Sequence, residues 1–100
     1  MTVGVFRFSF SPEVPLDEAE MTLQLATFAV EGMFGTARVR LDFSYHVVAD
    51  RRLILVDGSK EVGATVVQGF AGLLLREFGE DSFRVERVDS QQHKPQEAAA

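Results

Sequence analysis

The chain reads as an α+β domain: an antiparallel sheet with helices on one side only. Two observations predict this. Residues 38–47, Arg-Val-Arg-Leu-Asp-Phe-Ser-Tyr-His-Val, alternate polar and apolar, and a strand sends successive side chains to opposite faces. Val39, Leu41, Phe43, Tyr45 and Val47 then form a dry face, while Arg38, Arg40, Asp42, Ser44 and His46 form a wet one. A sheet with one wet face carries its helices on the other. The second observation is a pair of long apolar-periodic segments, residues 16–33 and 60–78, set between strand-like runs.

The first strand is expected from Thr2 to Ser11, with Phe6, Phe8 and Phe10 on one face and Arg7 and Ser9 on the other. Ser11-Pro12-Glu13-Val14-Pro15 is a turn, because each proline denies helical geometry to the residue before it. The first helix is expected from Leu16 to Met33. Asp17, Glu18 and Glu20 suit the positive end of its dipole, and Gly32 and Gly35 mark its end. The alternating strand extends to Val48. A short turn, Ala49-Asp50-Arg51-Arg52, leads into an apolar strand, Leu53 to Val56, and the two strands make a hairpin. Asp57-Gly58-Ser59 breaks the strand and offers a capping oxygen. The second helix runs from Lys60 to Phe78 and stops at Gly79. Ser82 to Val88 is the last strand.

The resulting order, β-α-β-β-α-β with right-handed crossovers, predicts a ferredoxin-like sandwich with strand order 4-1-3-2 and two helices on one face. A STAS-like α/β arrangement is the alternative, because a strand ending in Asp57 runs into a helix. Residues 1–89 form the single expected domain, and the polar stretch 90–100, which includes His93, is expected to be a disordered tail.

Composition narrows the function. With 100 residues and no cysteine, the chain has neither a disulfide framework nor a thiolate metal site or nucleophile. Its N-terminus lacks a secretory signal pattern, and no apolar run approaches the roughly 18 residues that span a membrane. A cytoplasmic location is expected. The net charge of −5 opposes binding to nucleic-acid phosphates or anionic lipid.

No catalytic or metal set emerges. His46 has a titration range suited to acid–base chemistry, and Asp42, Ser44 and His46 could form a row along one strand face. An exposed strand face offers no oxyanion hole, however. The two histidines lie far apart, without metal-ligand spacing. Val67-Gln68-Gly69-Phe70 resembles the Val-Gln-Gly-Val element of acylphosphatases. Here it lies inside the second predicted helix, followed by Ala71, Gly72 and Leu73 rather than a phosphate-binding arginine, so that activity is not assigned.

The helices hold the informative anomaly. In the first, Asp17, Glu20, Gln24, Thr27 and Glu31 occupy one narrow arc. Ala19, Leu23, Ala26, Val30 and Met33 form a stripe for the sheet, and Met21, Leu25 and Phe28 form a second stripe that a single sheet contact does not need. Either the other helix covers that second stripe or another chain does. In the second helix, Gly69 and Gly72 leave a smooth flank beside a core face of Val62, Val66, Val67, Phe70, Ala71, Leu74 and Phe78. The open sheet face is expected to carry Arg7, Arg38, Arg40, His46, Arg84 and Glu86, with Val3 and Val5 nearby.

These features predict a non-enzymatic interaction module without a cofactor. It would self-associate as a homo-oligomer or dock on a protein partner, with Met21, Leu25, Phe28, Gly69 and Gly72 as the candidate interface. A small-ligand-binding regulatory domain, or a small dimeric enzyme on the same scaffold, is the alternative.

Overall fold

A computed structural model describes residues 4–88. The strands are β1 (Val5–Phe10), β2 (Tyr45–Val48), β3 (Leu53–Asp57) and β4 (Phe83–Val88), and the helices are α1 (Leu16–Phe34), α2 (Thr36–Asp42) and α3 (Glu61–Phe78). The strands form one four-stranded sheet in the order β2-β3-β1-β4, and every neighbouring pair is antiparallel. The protein is therefore a mixed α+β structure with three helices. Expectations for Thr2, Val3, His93 and the tail 90–100 lie outside the described residues.

Directly opposed residues in a sheet share a face. Phe8 pairs with Ile54 on one side and Val85 on the other, and Phe6 pairs with Val56 and Arg87. That face carries the core. Phe8, Ile54, Val56, Leu23, Val62, Val66, Phe70 and Leu74 are essentially fully buried, and the Phe8 and Phe70 rings meet with centroids 4.6 Å apart. The aromatic run of β1 thus faces the helices, as its alternation predicts. The β1 register runs unbroken against both neighbours.

The alternating stretch is where the structure departs most from the sequence reading. Thr36–Asp42 is helix α2, and only Tyr45–Val48 of the expected strand forms β2. Gly35, at φ 92, ends α1, and its carbonyl then accepts the Val39 N–H at 3.2 Å to open α2. Within the helix only Val39 turns inward, while Leu41 is 83% exposed. Arg38 Nε lies 3.5 Å from Asp42 one turn on, the i,i+4 spacing of a helix. The alternation held because the two apolar residues, Val39 and Leu41, sit two apart. A helix needs only one of them, since Ala37, Arg38, Arg40 and Leu41 all tolerate helical geometry well.

Two further features hold the frame. Arg52 stands in the left-handed region at φ 55. Its guanidinium donates to the carbonyls of Ser11 (2.8 Å) and Val14, tying the β2–β3 turn to the β1–α1 turn. The Asp57 carboxylate accepts from the Ser59 N–H (3.0 Å) and hydroxyl (2.7 Å), so it shapes the turn before α3 and does not cap the helix itself. Helix α3 runs unbroken through its three glycines. Gly63 has a packing reason: a Cβ there would stand 2.0 Å from the Asp57 carbonyl oxygen. The helix can start against the end of β3 only without that carbon.

Candidate functional site

On α1 the inward stripe is Ala19, Leu23, Ala26 and Val30. The sequence reading also placed Met33 there, but Met33 is 69% exposed. The outward stripe is uncovered by any described residue: Met21 is 63% exposed, Leu25 58% and Phe28 72%. The spacing 21, 25, 28 puts these on one helix face. Helix α3 packs beside α1 but not over it, so it does not shield them. It adds Leu75, 49% exposed, to the same layer.

A groove of about 580 Å³ runs between α1 and α3. Ala26, Ala29, Val30 and Met33 line one wall, and Gly69, Gly72 and Leu73 help line the other. A Cβ at Gly69 would meet only the Ala26 methyl, at 3.8 Å, and one at Gly72 would meet nothing within 4 Å. Neither glycine is required by packing inside the chain, in contrast to Gly63.

The other face of the sheet differs in kind. Arg7 donates to Glu86 across the β1–β4 pair. That hydrogen bond and the arginine charge hold the Glu86 carboxyl below the usual carboxylate range. Arg84 stands opposite Ser9, and His46 opposite Leu55. Arg38 and Arg40, expected here, belong to α2 instead. Arg38 approaches Glu61 at 3.3 Å and stacks over the Phe34 ring at 4.9 Å. The expected row of Asp42, Ser44 and His46 is broken too, because Asp42 ends α2 and Ser44 lies between α2 and β2. Leu53 is buried on this face yet stands apart from the main core. With Val5, Val48, Leu55, Arg7 and Arg51 it helps line a cleft of about 340 Å³.

One polar cluster was not foreseen. Tyr45 donates its hydroxyl to Glu20 Oε2 at 2.9 Å and accepts from Gln24 Nε2 at 3.4 Å. The Gln24 bond lowers the phenol's pKa, but burial and the neighbouring Glu20 carboxylate outweigh it and hold the group above its ordinary value. A phenol kept protonated is a poor base; the contact pins β2 to α1. The narrow polar arc on α1 was the available signal, since such an arc beside a buried stripe needs partners.

Among the described residues, no group of three or more His, Asp or Glu side chains is placed to hold a metal ion. No helix among them is long and apolar enough to cross a membrane. Compared with protein-family models, curated proteins and solved structures, the chain matches none.

Proposed function

We propose that this chain is a non-enzymatic protein-interaction module on a ferredoxin-like βαββαβ scaffold, elaborated by the short helix α2, and that its helical layer is the docking surface. The carrying observation is the outward stripe of α1, where Met21, Leu25 and Phe28 face solvent together, with the exposed Met33 on the adjoining groove wall. Single exposed apolar residues are ordinary, but a contiguous patch of this kind is a recurring mark of protein association. The chemistry of the remaining surface supports the same reading. The open sheet face presents no aromatic ring for base stacking, since Phe6, Phe8, Phe10, Tyr45 and Phe83 share the helix-facing side. The alternative of a small-ligand domain would use the open-face cleft, whose Arg7 is already engaged by Glu86.

The test is the double substitution Leu25→Asp with Phe28→Asp. Both side chains point away from the core, so the circular dichroism spectrum and thermal midpoint of the protomer should be retained while association is lost. A variant that unfolds, or one that associates as the parent does, removes the basis of the proposal.

A further inference from the structure

We infer that the partner is a second copy of this chain, paired about a two-fold axis so that Phe28 of each protomer enters the α1–α3 groove of the other, over Gly69 and Gly72. This inference rests on the proposal that the helical layer is the docking surface, and it adds the occupant and the register.

The helical layer is complementary to itself. A two-fold interface uses the same patch twice, so a projection and a matching hollow must lie on the same face. Phe28 is the projection, an aromatic ring 72% exposed. The groove is the hollow, apolar along most of its length and, at about 580 Å³, roomy enough for a phenyl ring. Both lie on the helical layer, so their exchange closes a dimer and leaves neither free to extend a filament.

Gly69 and Gly72 favour the same pairing. Each weakens a helix interior, and Gly72 meets nothing inside its own chain. A ring arriving from outside supplies a reason for a missing side chain that the protomer does not.

The exposed apolar area approaches what a dimer needs. At about 200 Å² for a fully exposed large side chain, Met21, Leu25, Phe28, Met33 and Leu75 together expose roughly 600 Å². A stable interface takes about 800 Å² from each partner, and the exposed Ala29, Gly32 and Gly72 adjoin the same patch. Packing geometry agrees. Met21, Leu25, Ala29 and Met33 form an unbroken apolar ridge at four-residue spacing, the ridge that crosses its like at about −50°. An oblique crossing carries α1 of one protomer over the groove of the other.

Complementation tests this pairing. Gly72→Leu puts a side chain into the groove from a position whose Cβ meets nothing within 4 Å, and Phe28→Ala removes the projection. Each variant alone should have the mass of one chain at a concentration where the parent has the mass of two. Mixed in equal amounts they should form a heterodimer, because the new leucine occupies the space the phenyl ring left. A second measurement uses the absence of native cysteine: under mild oxidation Phe28→Cys and Gly72→Cys chains should cross-link to one another. Dimers of Gly72→Leu, a mixture that stays monomeric, or no cross-link would overturn the pairing. If Leu25→Asp with Phe28→Asp abolishes association while Gly72→Leu does not, the docking surface stands and the groove register falls. A parent chain that is monomeric throughout overturns the pairing with a second copy and leaves the docking surface to a different protein.

Discussion

Among the described residues nothing covers either broad face of this molecule, but the two faces are free in different ways. The open sheet face interleaves charge with apolar side chains: Arg7 reaches Glu86, and Leu53 is buried among its neighbours despite standing apart from the core. Long arginine stems can shelter apolar surface while their heads stay wet. The helical layer has no such shelter. Along α1 the outward residues from Met21 onward are methionine, leucine and phenylalanine, with the exposed Asp17 and Glu18 one turn before them. The difference teaches where a partner is missing. A face that satisfies itself needs none, whereas a face that holds large apolar side chains in water gains from one.

The contrast can be broken most forcefully by comparing two phenylalanines. Phe8 is fully buried against Phe70, and Phe28 stands in solvent. Phe8→Ala should cost about 3–5 kcal/mol of protomer stability. Phe28→Ala, measured by urea unfolding at a dilution where the chain is monomeric, should change it by no more than about 0.5 kcal/mol. Comparable losses from the two would make Phe28 a core residue and erase the distinction.

Two glycines give the next largest contrast. Gly63→Ala forces a carbon against the Asp57 carbonyl, and shifting the helix to admit it should cost about 1–3 kcal/mol. Gly72→Ala adds a methyl to open space and should stabilise the protomer by up to about 1 kcal/mol. Thermal unfolding of the two variants against the parent checks the signs. Destabilisation by Gly72→Ala would mean that the position has a packing role within the chain.

The smallest effect belongs to the sheet face. Because the Glu86 pKa is lowered on folding, its contribution to stability is present above the ordinary carboxylate pKa and is lost as the pH falls through the lowered value. Glu86→Gln should therefore lower the urea midpoint slightly at neutral pH, with the gap closing in acid, and should leave the mass of the assembly unchanged. A change in mass would move the interface to the sheet.

How far the sequence revealed all this depended on the length of each signal. In β1, three phenylalanines at alternate positions ran up to Pro12, and the core formed on the face their alternation predicted, with no bulge to swap it. The faces of α1 and α3 were legible because many residues vote on a helical period. Seven residues at 36–42 held too few apolar positions to separate the two periods, and the strand that this stretch suggested is mostly helix. With it went the positions of Arg38 and Arg40, which depended on that register. Met33 failed for a related reason: a stripe drawn on a helix wheel does not reveal where the neighbouring helix ends its cover. The outward stripe of Met21, Leu25 and Phe28 was legible as an excess of apolar surface, but only the packing of α3 beside α1 left it in solvent. Arg52 and the Tyr45 cluster join residues far apart in the chain, so no local pattern announced them.

The central claim is met most directly by the solution mass of the parent chain, measured by size-exclusion chromatography with light scattering at low and high salt. An interface made of apolar side chains does not weaken as salt is raised, because screening acts on charges. The account predicts the mass of two chains at low and at high salt. A mass of one chain under all conditions would contradict it, as would a dimer that salt dissolves, which would point to the arginines of the sheet face.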